Sequence, residues 1–291
     1  MSSRFVHLFE NRNTVGALVR AVATSRASGA SPLPEVPGPW IEYETRAPST
    51  ALTHDFIRAL RGEVGWFQSE VPLPMFSQWA LAAASKALVG VPWPVSRGLN
   101  AGCRIERHAP IMPGEPIGVR VRIESADVDE RRVFVRQTIE TSTKDAPIAW
   151  AGEQRTYIPL KKRGGGAEKL RETVPMRAKE IAEIPLSATS ARDFAVLTGD
   201  VNPIHWFAPA ARAAGFRSTI LHGYGSLAFS LMAFIRARLS GRARSLRSVD
   251  ARFVRPVVLP MRARLYGYED RLLLAEGPGG VPFIDSTIGE A

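Results

Sequence analysis

The sequence predicts an α+β protein built from two tandem copies of one unit, each a long buried helix wrapped by an antiparallel sheet. Three observations carry that expectation. Segments 72–88 (PLPMFSQWALAAASKAL) and 220–239 (ILHGYGSLAFSLMAFIRARL) are apolar on nearly every helical face, and such a helix has to be buried. Residues 118–143 alternate as strands do, around a turn at Asp127–Glu130. Finally, three segments recur in the same order. HDFIRALRGE (54–63) matches RDFAVLTGD (192–200), and the helix 72–88 matches 220–239. RIERHAPIMPGEPIGVRVRI (104–123) matches RFVRPVVLPMRARLYGY (252–268), with a proline before a long strand in both. Such order-preserving similarity suggests duplication of one structural unit.

Along the chain, residues 1–34 form an N-terminal extension with Arg4, Arg12, Arg20 and Arg26 but a single acid, Glu10. A basic, acid-poor start resembles an organellar transit peptide. The competing reading is a surface helix with Val15, Leu18, Val19 and Val22 on one face. Residues 35–160 are the first unit: short helix, long helix, then strands. LKKRGGGAEKLRE (160–172) is charged and glycine-rich, which makes 161–172 a linker. Its RGGGA lacks the Lys-Ser/Thr that a phosphate-binding loop requires. Residues 173–291 repeat the plan as the second unit.

Composition narrows the function. The chain has 291 residues, 45% hydrophobic and 23% charged, with a net charge of +10. These proportions are those of a soluble globular protein, and no apolar run approaches the ~18–20 residues that span a bilayer. The single cysteine, Cys103, excludes an internal disulfide framework and suits a reducing, cytoplasmic compartment. It reads as a small buried hydrophobe. Arginines 120, 122, 131, 132 and 136 are spread along strand-like segments without interleaved aromatics, which argues against nucleic acid. The positive charge suits a phosphorylated small molecule or carrier better. His7, His54 and His108 are scattered, and no Cys/His/carboxylate cluster has metal-ligand spacing. No metal and no cofactor are expected.

The chemistry concentrates at GDVNPIHW, residues 199–206. Asp200 and His205 are its two groups able to move a proton near neutral pH. Asn202 can bond nearby backbone and Pro203 sets the chain direction between the reactive groups, so both look like scaffold. Gly223 sits just before the long helix, with its N–H at the positive end of the dipole. The plainer alternatives are that Asp200 caps a turn, that His205 is a satisfied structural histidine and that Gly223 merely starts a helix. His222 reads as a packing or loop-anchoring residue, part of the substrate-binding or scaffold set of the site. The stripe Leu227, Leu231, Phe234 and Ile235 reads as core that could also line an acyl tunnel.

The stretch 193–223 resembles the MaoC-like (R)-specific enoyl-CoA hydratases and 3-hydroxyacyl-thioester dehydratases. The matching residues are Gly199, Asp200, Asn202, Pro203, Ile204, His205, Ala211, Ala214, Gly215, Phe216, His222 and Gly223. One helix wrapped by an antiparallel sheet is the hotdog arrangement, so the resemblance and the repeat together imply a double hotdog. The resemblance implies reversible hydration of a trans-2-enoyl thioester to an (R)-3-hydroxyacyl thioester. Asp200 and His205 would hold the water, and Gly223 would donate to the thioester oxygen. The partner would be an acyl-CoA or acyl-carrier-protein thioester, with a homodimer open. Some family members carry a serine on the buried helix two turns after His-Gly. Here that register falls on Leu231, with Ser230 beside it. A hotdog thioesterase and a non-catalytic acyl-CoA binding or regulatory module remain as alternatives.

The first unit lacks the motif. Glu63 aligns with Asp200, Pro74-Met75 aligns with His222-Gly223, and the intervening Asn-Pro-x-His is missing. One active site per chain is the expectation.

Overall fold

The computed structural model describes residues 6–24, 33–161 and 172–290. The linker expected at 161–172 lies outside the described residues except for its two ends. The chain opens with α1 (His7–Glu10) and α2 (Arg12–Thr24). The first unit follows as β1 (Ile41–Arg46), α3 (Thr50–Ala59), α4 (Ser77–Ala87), β2 (Leu99–Arg107), β3 (Pro116–Val128), β4 (Arg132–Ser142) and β5 (Trp150–Pro159). The second unit begins with β6 (Lys179–Leu186), α5 (Ser190–Thr198), α6 (Ala208–Ala213), β7 (Ile220–Leu221) and α7 (Gly223–Arg238). It ends with β8 (Leu246–Phe253), β9 (Val257–Val258), β10 (Met261–Tyr268), β11 (Arg271–Ala275) and β12 (Ile284–Glu290).

Ten of these strands form one antiparallel sheet in the order β1-β3-β4-β5-β2-β8-β12-β11-β10-β6. Read outward from its centre, each half has the same succession of equivalent strands. The halves meet where β2 pairs with β8, Cys103 opposite Ala251 and Ile105 opposite Val249. This is the double hotdog that the repeat and the resemblance together implied. The hairpin turn falls slightly later than expected. Asp129 centres it by accepting from the N–H groups of Arg131 and Arg132 at 2.7 and 2.9 Å.

The two apolar helices are buried as their composition requires. In α4 only Leu81 and Lys86 escape full burial. In α7 every residue from Tyr224 to Met232 is buried. Each helix packs on its own unit's strands, α4 on β3 and β4, α7 on β6 and β10. Each also reaches across: Gln78 Nε2 donates to the Leu197 carbonyl at 2.7 Å, and Tyr224 Oη to Gln154 Oε1 at 2.6 Å. Cys103 is fully buried, and burial raises its thiol pKa to about 12.

The N-terminal helices differ from the amphipathic reading. Val19 and Val22 are 60% and 48% exposed, whereas His7, Asn11, Thr14 and Ala21 are buried. The buried face is polar because it docks through hydrogen bonds. Thr14 Oγ1 donates to the Gln78 carbonyl at 2.9 Å, and His7 Nε2 lies 2.9 Å from Asp55 Oδ2. Asn11 Nδ2 donates to the Leu197 carbonyl at 3.0 Å, at the end of α5. A pattern search for apolar residues cannot find a seam of this kind.

Candidate active site

The site begins where α5 stops. Gly199 takes the left-handed conformation, φ 74°, that ends a helix and that glycine adopts without strain. Its N–H donates to the Ala195 carbonyl at 2.8 Å, and the chain reverses into Asp200. Asn11 packs against Gly199 so closely that a side chain there would collide with it. The N-terminal helices therefore buttress the turn that presents Asp200.

Asn202 then caps a short 3-10 helix, Pro203–His205, its side chain accepting from Ile204 N–H at 3.3 Å. Pro203 takes the first helical position, where its missing N–H costs nothing. This single turn carries His205 back beneath β7, where its Nδ1 donates to the Ile220 carbonyl at 2.8 Å. Asn202 and Pro203, read from the sequence as scaffold, form the start of this turn.

His222, at the N-cap of α7, closes the cluster. Its Nε2 donates to the Asp200 carbonyl at 3.0 Å and lies 4.0 Å from Asp200 Oδ2. Its ring stacks on His205, and Phe194 packs at 5.1 Å on the same imidazole. Ligating atoms of Asp200, His205 and His222 all lie within 4.8 Å of one another. His222, expected as part of the site's scaffold, lies within the cluster itself.

The hydrogen bonds assign the tautomers. His205 donates through Nδ1, leaving Nε2 a bare base. His222 donates through Nε2, leaving Nδ1 buried and without a partner among the described residues. Burial pushes the His205 pKa down, with Asp200 opposing. Burial lowers His222 to about 3, reinforced by His205 and opposed by Asp200. Both rings are neutral at pH 7. Contrary to the sequence expectation of no metal-spaced cluster, folding brings three donors within reach of one cation. A cation at His222 Nε2, however, would have to displace the Asp200 carbonyl.

Gly223 is the first residue of α7, a 16-residue helix, and the first N–H groups of a helix have no partner within it. The structure shows a packing reason for glycine at this position. A Cβ here would sit 2.4 Å from Cδ2 of Phe253, whose ring lies over the backbone. Ser230 Oγ, near the family's serine register, donates to the Ser226 carbonyl at 2.9 Å and is committed to the helix. Leu227, Leu231, Phe234 and Ile235 are all buried core.

The first unit brings no equivalent group together. Glu63 is exposed after α3, while Pro74 and Met75 are buried in a 3-10 turn before α4. Phe253 and Asn11 were invisible to motif reading because each reaches the site from a distant part of the sequence, and Ile220 because it contributes a backbone carbonyl rather than a side chain.

Comparison with known proteins agrees with this architecture. Residues 171–269 match the family model described as MaoC like domain. A 3-hydroxyacyl-thioester dehydratase X of Mycobacterium tuberculosis is 27% identical over 222 residues, 74% of this chain and 73% of that protein. Enoyl-CoA hydratase ChsH3 of the same organism is 29% identical over 171 residues, 56% of this chain and 58% of its own length. The crystal structure of HtdX of M. tuberculosis superposes with a TM-score of 0.68 at 23% identity, covering 87% of this chain and all of that one. An M. tuberculosis structure described as a double hotdog gives 0.58 at 11% identity, covering 87% and 96%.

Proposed function

Because residues 171–269 are a MaoC-like domain set within a double hotdog, we propose that the protein reversibly hydrates a trans-2-enoyl thioester to an (R)-3-hydroxyacyl thioester. The observation that carries this reading is the convergence of Asp200 with His205, whose Nδ1 is committed to the Ile220 carbonyl and whose Nε2 is left as the base. Adding water across a conjugated double bond needs a base for the water, an acid for the α-carbon and a donor for the enolate oxygen. The Asp200 carboxylate and His205 Nε2 hold one water between them. One of the pair removes a proton from that water as its oxygen bonds to the β-carbon, and the α-carbon receives a proton from the same pair. The Gly223 N–H, at the positive end of α7, receives the charge that builds on the thioester oxygen. The reverse sequence eliminates water. Every step runs on groups of this chain, with no metal or cofactor.

Each chain has one such site, in the second unit, and the first unit helps enclose the acyl group. The CoA or carrier-protein portion is drawn by the net positive charge. Relatives named as a 3-hydroxyacyl-thioester dehydratase and an enoyl-CoA hydratase support this substrate class. The test is incubation with trans-2-enoyl-CoAs of graded length, following loss of enoyl-thioester absorbance and then the configuration of the product. Turnover giving the (R)-alcohol is expected. Binding without turnover at any length would instead make the chain an acyl-thioester binding module.

A further inference from the structure

We propose that the first unit binds a small phosphorylated anion in a cavity at the position where the second unit keeps its catalytic loop. The cavity has a volume of about 320 Å³ and is lined by Gln68, Glu70, Arg107, Pro110, Arg244, Ser245 and Arg247. Its place follows from the repeat. The Val71 N–H donates to the Ile111 carbonyl at 2.8 Å, and at the aligned positions the Leu259 N–H donates to the Thr219 carbonyl at 2.9 Å. Glu70 thus lies on the segment equivalent to the one that leads into Ile220 and His222, where the second unit holds His205. In the first unit that segment carries a carboxylate ringed by guanidinium groups.

The cavity is built, not incidental. Arg107 and Glu70 are nearly buried, and Arg107 Nη1 donates to Glu70 Oε2 at 2.7 Å. Arg107 Nη2 donates to the Arg244 carbonyl. The Arg107 Nε is buried with no partner among the described residues. Arg244 completes the ring, its Nε 2.9 Å from Glu70 Oε1 and its Nη1 donating to Gln68 Oε1 at 2.7 Å. Arg247 has no carboxylate partner among the described residues. Burial lowers the Arg107 pKa, Glu70 opposes, and Arg247 and Arg244 lower it further. Gln68 and Ser69, at the rim, are both left-handed, φ 48° and 65°, a costly conformation that accumulates at ligand sites.

The charge and the volume specify the ligand class. Three guanidinium groups face one carboxylate, leaving two positive charges, which a phosphate dianion neutralises through forked N–H donors. The volume lies at the small end of small-molecule sites, with Pro110 against whatever the phosphate carries. The cavity is separate from the catalytic cluster. Arg247 and Phe253 stand at opposite ends of β8, about 20 Å apart at ~3.3 Å per strand residue. A ligand here would touch both units, since Gln68 to Pro110 come from one and Arg244 to Arg247 from the other.

The test is calorimetric titration of the full chain with inorganic phosphate and with glycerol phosphate, chloride replacing them at matched ionic strength in the control. Saturable binding of both is expected, weakened at least tenfold in Arg247→Ala and in Arg244→Ala and unchanged in Asp200→Asn. Tighter binding of the monoester assigns the cavity to a phosphorylated metabolite, and equal binding assigns it to free phosphate. Absence of saturable binding overturns the proposal. So does binding that survives both arginine substitutions, or binding that Asp200→Asn abolishes, which would put the anion in the catalytic cluster.

Discussion

The imidazoles of His205 and His222 stack with centroids 3.6 Å apart and planes 25° from parallel. Two rings so close cannot both be imidazolium cations, since like charges in a buried site repel strongly. Each ring spends its one N–H on a backbone carbonyl, so the stack is held in a neutral state with His205 Nε2 left as a base.

Acid should therefore weaken the fold. The His222 pKa in the folded chain, about 3, lies below its ordinary 6.5, so the unfolded chain takes up a proton first. The stability tied to this ring is complete above about pH 6.5 and is lost as pH falls towards 3. The expected slope is about 1.4 kcal/mol per pH unit. His222→Gln, which keeps an N–H for the Asp200 carbonyl, should flatten that slope. Urea unfolding at pH 7 and pH 5 measures it, and equal slopes in both proteins would contradict the assignment.

Asp200→Asn and His205→Ala should each lower kcat by roughly 10²–10⁴, the usual worth of a positioned acid–base group. Both proteins should remain folded by circular dichroism. Wild-type turnover in either variant would remove that residue from the mechanism.

Substitutions at Gly223 should harm both fold and activity, because the Phe253 ring occupies the space of a side chain. Gly223→Ala is expected to lower Tm and kcat together. Adding Phe253→Ala to that variant should recover part of the Tm. If the single variant melts like wild type, the ring is not what demands glycine.

The first unit supplies a control. Glu63→Gln should leave kcat unchanged, since Glu63 is exposed and no imidazole from the motif accompanies it. Comparable losses in Glu63→Gln and Asp200→Asn assays would mean that the first unit also carries out the reaction.

Asn11 lies nearly two hundred residues from Asp200 in sequence, yet it hydrogen-bonds the end of α5 and packs on Gly199. Asn11→Ala should cost on the order of 1 kcal/mol of stability, a typical hydrogen bond. It should also lower kcat severalfold with little change in KM, because the Asp200 turn loses its support. A kcat equal to wild type would show that α5 holds the turn unaided.

The parts of this structure legible in the sequence are those governed by local pattern. All-apolar segments had to become buried helices, alternation gave the strands, and the tandem similarity foretold two equivalent halves. Gly199, Asp200 and His205 stood out because one short loop carries them. What stayed hidden depends on which segment lies opposite which. Nothing local to Phe253 says that its ring will cover Gly223. Nothing local to Asn11, Thr14 or His7 says that a polar face will be the buried one. His222 was read as site scaffold and not as the partner of His205, because its ring reaches His205 only after β7 and the 3-10 turn have folded together.

The sheet offers one last consequence. Joining β2 to β8 consumes the edges along which two separate hotdog units would associate, leaving β1 and β6 as its outer margins. Those margins carry Glu42, Glu44 and Arg46 on one side and Lys179, Glu180 and Glu183 on the other. Charged edge strands resist further strand addition. A chain that contains its own counterpart must forbid the next one, or the sheet would grow into a fibre.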